Sequence, residues 1–255
     1  MSTFVSPGLS LDSDSASGIR TLPELVEFHV KHNLRHRFCI QAEKPLIENG
    51  AYQLTPVSYE RLQRAILRCQ AWLRDNAPNI HASFLDDHGV VNRCAPVAVL
   101  MESHAGLAVF ILTLMGMGVP VVLLSTRLSA VAIQHLMRAT QAQNALVSQR
   151  LQPLIIEALL DNEYSFEVCI TPGYETFLGE GPITYDGRIA HPNHFISEND
   201  RQALILHSSG TSGLPKPIYC SHKHFLGFAI CHSFSSELQA HGLTVSTSPF
   251  FHVSH

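Results

Sequence analysis

The sequence has 255 residues, of which 45% are hydrophobic and 15% charged, and its formal net charge is −4. This length is enough for a sizeable core and one or two domains, and the composition is that of a soluble globular chain. Lysine and arginine are scattered along a mildly acidic chain, which excludes the clustered basic face of a nucleic-acid-binding protein.

The cysteine and histidine content indicates the cellular compartment and whether the chain binds a metal ion. Six cysteines stand far apart without a Cys-x-x-Cys pair, and no secretory signal opens the chain, so we expect reduced thiols and a cytoplasmic protein. Sixteen histidines are present, and some have ligand-like spacing, as in His252-x-x-His255. Zinc sites usually need three or four ligands in a regular framework, so the sequence predicts no metal site.

The N-terminal part begins with a polar stretch. Residues 1–20 are rich in Ser, Asp and Gly, which predicts a disordered tail. Thr21 followed by Glu24 has the pattern of a capping box and predicts the start of a helix. A short strand is expected around Cys39, and Ser58 predicts the N-cap of a second helix whose arginines form a solvated face.

The middle of the chain contains its longest uncharged stretch. Residues 76–93 are polar and predict a loop or an insertion, whereas residues 96–101 predict a buried parallel strand. Residues 105–124 carry no charge, and twenty such residues would suffice to span a membrane. Gly116 and Gly118 interrupt them, so we favour a helix that ends near these glycines, followed by a strand. A membrane-associated protein is the alternative.

Helices and strands then alternate. The pattern predicts a helix capped by Ser129, a strand at 145–147, a helix at 151–160 and a strand at 168–170. Val131 is expected to face the core. This alternation predicts an α/β fold with mostly parallel sheets flanked by helices, and such sheets bind ligands beyond the carboxyl ends of their strands.

The most informative stretch follows a buried strand at 203–206. It is rich in glycine and hydroxyl residues and closes with Lys216. Glycine lets the backbone approach a ligand closely, successive N–H groups can form an anion site, and lysine adds a charge suited to phosphate. A plain surface loop is the alternative. The stretch is not a P-loop, because only two residues separate Gly210 from Gly213. The predicted phosphate-binding residues are Ser208, Ser209, Gly210, Thr211, Ser212, Gly213 and Lys216.

Residues 205–216 resemble, position by position, the AMP-binding signature of the adenylate-forming superfamily. That family comprises acyl-CoA synthetases, luciferases and the adenylation domains of non-ribosomal peptide synthetases. Phe250-Phe251-His252 is similar to the family's aromatic–histidine motif. The resemblance implies that the 208–216 segment binds the β- and γ-phosphates of ATP. It also implies that Lys216 and His252 are catalytic, with His252 near the substrate carboxylate.

The resemblance implies an AMP-forming ligase that converts a carboxylic acid to an acyl-adenylate, using ATP with Mg²⁺. Two departures from the family pattern are residues 124–127, where many members have Pro-x-Asp, and Pro217, where many have glycine. Both are most similar to adenylation domains of fungal peptide-synthetase-like proteins. Those proteins often carry a downstream carrier domain with phosphopantetheine and a reductase domain.

The family's later motifs are not found before His255: the magnesium ligand, the ribose-binding aspartate and the mobile lid. We therefore expect residues 21–255 to form a partial AMP-binding domain, truncated at its C-terminus, with the incomplete N-terminal subdomain of the adenylate-forming fold. Such a chain is not expected to exchange pyrophosphate into ATP by itself. A catalytically incomplete remnant or interaction module is the alternative.

Overall fold

The computed structural model describes residues 4–9, 18–43, 50–82, 95–160, 164–180, 188–189, 202–208 and 213–231. In chain order these residues form α1 (Leu22–His32), β1 (Arg37–Glu43), β2 (Gln53–Ser58), α2 (Tyr59–Asn76), α3 (Pro78–Ala82), β3 (Val97–Leu100), α4 (Ala105–Gly116), β4 (Val121–Leu123), α5 (Ala130–Thr140), β5 (Asn144–Ser148), a 3-10 turn (Gln149–Leu151), α6 (Gln152–Leu160), β6 (Glu167–Thr171), α7 (Glu175–Leu178), β7 (Gln202–His207), β8 (Pro217–Ser221) and α8 (His222–Cys231).

A six-stranded sheet organises the described residues. Its strand order is β6-β5-β3-β4-β7-β8, and a separate antiparallel pair joins β1 to β2. All neighbours in the larger sheet run parallel except β8, which is antiparallel to β7. Helices α1, α2, α4 and α7 contribute to the core on one face, and α5 and α6 to the core on the other. The predicted α/β fold, a mostly parallel sheet flanked by helices, is confirmed.

Strand β3 contributes side chains to the hydrophobic cores on both faces of the sheet. Val97 and Val99 belong to the cluster on the α4 side, whereas Ala98 and Leu100 belong to the cluster on the α5 side. Successive side chains of a strand point to opposite faces, and a parallel strand with helices on both sides buries all of them. All four residues of β3 are buried, which explains its continuous apolar run.

The predicted helix caps are present. Thr21 Oγ1 accepts the Glu24 N–H at 3.2 Å, and the Glu24 carboxylate accepts the Thr21 N–H at 3.1 Å, which completes the capping box of α1. Ser58 and Ser129 cap α2 and α5, each accepting the backbone N–H three residues further on. Three helix starts therefore follow from local sequence alone.

The uncharged run at 105–124 divides as predicted. Helix α4 ends at Gly116, and Gly118 adopts a left-handed φ of 79°. The N–H groups of Gly118 and Val119 donate back to the last turn of α4 at 3.0 and 2.8 Å, the bond pair of a Schellman motif, in which glycine is favoured. Every helix within the described ranges is too short or too polar to traverse a bilayer.

The predicted solvated face of α2 is wrong for two of its arginines. Arg61 Nε donates to the Leu178 carbonyl at 2.6 Å. The Arg68 guanidinium donates to the carbonyls of Phe177, at 3.0 Å, and of Gly179. These carbonyls lie at the end of α7, where helical C=O groups have no partner within the helix. The two arginines therefore join α2 to α7.

One further prediction is wrong in the described part of its range, and another is wrong outright. The polar run predicted as a loop begins with the end of α2 and the short helix α3, and residues 83–93 lie outside the described residues. Val131, predicted to face the core, is 56% exposed. It lies on the side of α5 opposite the buried residues Ile133 and Met137.

Part of the N-terminal stretch contacts α1. The Val5 N–H donates to Asn33 Oδ1 at 2.7 Å, and Asn33 Nδ2 donates to the Val5 carbonyl at 2.6 Å. One side-chain amide thus pairs with both polar groups of one backbone residue. The division into a tail at 1–20 and a domain at 21–255 remains a prediction.

Candidate functional site

The predicted phosphate-binding segment, residues 208–216, begins where β7 ends. Strand β7 is parallel to β4, and Val122 pairs with Ile205, so Ser208 lies beyond the carboxyl end of its strand. Lys216 directly precedes β8, which returns antiparallel to β7. Both ends of the segment are therefore at the sheet edge where α/β folds bind ligands.

Two hydrogen bonds close the base of the 208–216 segment. The Ser208 N–H donates to the Lys216 carbonyl at 3.0 Å, and the Lys216 N–H donates to Ser208 Oγ at 3.0 Å. Because Oγ acts as an acceptor in this bond, the hydroxyl hydrogen of Ser208 is still able to donate. Fixing both ends lowers the ordering cost that a bound ligand would otherwise impose on the segment.

Lys216 provides the charge at this base. Its side chain is exposed and, within the described ranges, has no ion-pair partner. A lysine ammonium is a compact charge with three donors, which suits phosphate oxygens. Gly213 is also described and is exposed. The remaining predicted site residues, Ser209, Gly210, Thr211, Ser212 and His252, lie outside the described residues, so their roles remain predictions.

The turn after β4 lies beside the base of the 208–216 segment. This contact was not predicted from the sequence. The Ser125 N–H donates to His207 Nε2 at 3.1 Å. Within the turn, Ser125 Oγ accepts the Arg127 N–H and the Ser125 carbonyl accepts the Leu128 N–H, both at 3.2 Å. Ser125 thus uses its hydroxyl and carbonyl to form the turn and its N–H to contact β7.

Two other polar groups follow β3 at the same edge. Glu102 forms an ion pair with Arg150, which lies in the 3-10 turn after β5. Partial burial opposes ionisation of Glu102, but the hydrogen bond from Arg150 and other bonds outweigh it and hold the pKa of this carboxyl below its usual value. His104 Nδ1 accepts the Leu107 N–H at 3.2 Å and caps α4, and burial lowers the pKa of His104. Both groups have structural partners.

The described part of this edge fits a phosphate group. Ser208 and Lys216 offer a hydroxyl and an ammonium donor at its base. Magnesium prefers carboxylate and water oxygens, and Glu102 is already paired with Arg150. Among the described residues, no three His, Cys, Asp or Glu side chains are grouped to hold a metal ion. We therefore assign no magnesium ligand to them.

Comparison with known protein families shows to which family the chain belongs. Residues 58–255 match the family model described as AMP-binding enzyme. The chain belongs to the AMP-binding enzyme family. The match includes β7, the 208–216 segment and β8, and it confirms the resemblance on which the sequence interpretation depended.

Fungal proteins are among the relatives of this AMP-binding chain. It is 37% identical over 249 residues to an adenylate-forming reductase of Aspergillus terreus, covering 95% of this chain and 23% of that protein. It is 36% identical over 239 residues to ascB of Acremonium egyptiacum, named as a variant non-ribosomal peptide synthetase, covering 92% and 20%. The chain spans about a fifth of the length of the curated relatives that it matches.

Solved structures agree on the fold. A benzoate CoA ligase from Burkholderia xenovorans superposes with a TM-score of 0.53 at 16% identity, covering 84% of this chain and 37% of that chain. The N-terminal subdomain of NpsA from Klebsiella oxytoca superposes with a TM-score of 0.52 at 18% identity, covering 79% and 42%. The described fold is that of an N-terminal subdomain of the adenylate-forming enzymes, as predicted.

Proposed function

We propose that the intact protein activates a carboxylic acid as an acyl-adenylate, and that the 208–216 segment binds the terminal phosphates of ATP. In this reaction a carboxylate oxygen bonds to the α-phosphorus. The bond from that phosphorus to the oxygen bridging to the β-phosphate breaks, and pyrophosphate leaves with the electron pair. Membership of the AMP-binding family supports the reaction. The observation that carries the segment's role is the closed Ser208–Lys216 base at the carboxyl edge, next to the Lys216 ammonium.

Charge stabilisation is the task of the segment in this proposal. Negative charge grows on pyrophosphate as the bond breaks, and donors already in place there lower the barrier most effectively. We assign this task to the backbone N–H groups of 209–213, the hydroxyls of Thr211 and Ser212, and the Lys216 ammonium. Bound Mg²⁺ would offset further charge on the phosphates. The Ser208 hydroxyl supplies one more donor at the base.

We assign His252 to the binding of the carboxylic acid substrate. A neutral imidazole carries one N–H donor, which can orient a carboxylate next to the α-phosphate. The names of the fungal relatives support a further step in the intact protein. The acyl group would pass from the adenylate to a phosphopantetheine thiol of a carrier domain, releasing AMP, and a hydride-donating cofactor would then reduce the thioester.

Lys216→Ala is expected to weaken ATP binding by about tenfold or more. Hydrogen bonds to charged groups contribute roughly 1.5–3 kcal/mol, and each 1.4 kcal/mol is about tenfold in affinity. The measurement is isothermal titration of ATP into the 255-residue chain. Lys223→Ala is the matched control, because Lys223 is exposed on α8 and its loss removes the same charge. We expect this control to keep the affinity of the unaltered chain.

The titration separates three results. Equal affinity of the unaltered chain and Lys216→Ala would remove Lys216 from the phosphate site. Equal weakening by both variants would assign the effect to net charge and also contradict the proposal. No ATP binding at all by the unaltered chain would favour the alternative of a remnant or interaction module.

A further inference from the structure

We propose that His207 is a positioning residue that holds the 208–216 segment against the turn after β4. This inference rests on the proposed function for its consequence, because it explains how a phosphate-binding segment would be kept in place. His207 does not itself contact substrate in this proposal.

Backbone pairing between β4 and β7 ends before the segment begins. The parallel register includes Val121 with Leu204 and Val122 with Ile205, and no pair beyond these is formed among the described residues. On the β4 side, the register therefore contains no partner for Leu206 or His207, the last two residues of β7. The His207 ring provides the next connection, through the 3.1 Å bond from the Ser125 N–H to Nε2.

The hydrogen bonds of His207 define its tautomer. Nε2 accepts a backbone N–H, so it carries no proton. Nδ1 lies 3.3 Å from the Ser208 carbonyl, which is only an acceptor, so Nδ1 carries the proton and donates. A single neutral ring thus accepts from the turn after β4 and donates to the first residue of the segment.

The two residues that His207 joins are each held elsewhere. Ser125 is 8% exposed and organises its turn through bonds to Arg127 and Leu128. Ser208 closes the segment through its two bonds to Lys216. Turn, ring and segment base therefore form one continuous chain of hydrogen bonds across the sheet edge. Removing the ring nitrogens would separate the turn from the base while leaving each one internally bonded.

His207→Phe is expected to loosen this connection. Phenylalanine retains an aromatic ring but has no acceptor for the Ser125 N–H and no donor for the Ser208 carbonyl. We expect the amides of Ser125 and of the segment base, Ser208 and Lys216, to exchange hydrogen at least about tenfold faster, because the structure shows each of them hydrogen-bonded. We also expect ATP to bind about fivefold more weakly, because one or two neutral hydrogen bonds that hold the segment are lost.

His207→Gln is the rescue variant. Its side-chain oxygen can accept the Ser125 N–H from a position near that of Nε2, so amide protection and ATP affinity should return towards those of the unaltered chain. Nitrogen chemical shifts of His207 in the unaltered chain give an independent spectroscopic test. They should show a protonated Nδ1 and an unprotonated Nε2. Thermal unfolding of all three proteins controls for loss of the fold.

The experiment distinguishes failure of this inference from failure of the proposed function. If the amides of Ser125, Ser208 and Lys216 exchange equally fast in the unaltered chain and His207→Phe, the positioning role is overturned, whatever the chain does with ATP. If glutamine behaves like phenylalanine, the role is also overturned. If the amides loosen and glutamine restores them while no protein binds ATP, the positioning role stands and the phosphate site is wrong.

Discussion

Phe110→Ala is expected to lower the free energy of unfolding by about 3–5 kcal/mol, the usual cost of truncating a buried aromatic ring. Phe110 is 2% exposed on α4. Its ring meets Trp72 of α2 edge-on at 6.0 Å and Phe177 of α7 at 5.3 Å. Edge-to-face pairs add about 0.5–1.5 kcal/mol beyond burial. The truncation therefore leaves a cavity where three helices meet.

Urea unfolding measures the effect of Phe110→Ala. Phe228→Ala is the matched control, because Phe228 is 61% exposed on α8, and we expect a loss of less than about 1 kcal/mol. Phe110→Leu keeps most of the volume and is expected to cost about 1–2 kcal/mol, so the test holds even if the alanine variant does not fold. Equal losses for the Phe110 and Phe228 alanine variants would contradict the described core.

Acidification from pH 6.5 to pH 4 is expected to destabilise the fold through His29. This side chain is 8% exposed and lies against the rings of Phe4 and Tyr59, at 5.9 and 4.6 Å between centroids. Burial, followed by the nearby His36 and His32, lowers the pKa of His29 from 6.5 to about 4. Folding therefore keeps this ring neutral where an unfolded chain would protonate it.

The direction of the pH effect follows from proton binding. Below pH 6.5 the unfolded state binds a proton at His29 that the folded state does not, so stability falls as the pH falls. The loss levels off below about pH 4, once the folded ring is protonated too. A pKa lowered from 6.5 to about 4 corresponds to about 3 kcal/mol. Protonation would also disturb the 2.9 Å contact between His29 Nδ1 and Asn33 Nδ2.

Urea unfolding at several pH values measures this effect. His29→Gln removes the titrating group but keeps an acceptor for Asn33, so between pH 6.5 and 4 it should lose about 3 kcal/mol less than the unaltered chain. Other groups that titrate in this range contribute equally to both proteins. Identical pH slopes, or a His29 ring that titrates near pH 6.5 by NMR, would contradict the buried neutral state.

Local features of the fold were predictable from the sequence. Thr21, Ser58 and Ser129 cap helices because a side-chain oxygen reaches an N–H only a few residues away, which spacing alone reveals. Gly118 ends α4 because a left-handed residue at that position favours glycine. Buried parallel strands such as β3 appear as short apolar runs. These signals depend on neighbours in sequence.

Features that depend on distant residues were not predictable. Arg61 bonds to a carbonyl 117 residues away, and spacing on α2 cannot show where that carbonyl lies. The contact between His207 and Ser125 spans 82 residues. Its only local signal is a histidine at the last position of a buried strand. The antiparallel return of β8 depends on pairing with β7 rather than on any pattern of its own.

The most direct test is an experimental structure of the chain with a non-hydrolysable ATP analogue. The account predicts that the β- and γ-phosphates lie within hydrogen-bond distance of the 209–213 amides and of Lys216 Nζ, beyond the carboxyl end of β7. Phosphates bound elsewhere on the surface, or a segment whose amides bond to one another and turn away from the nucleotide, would contradict it.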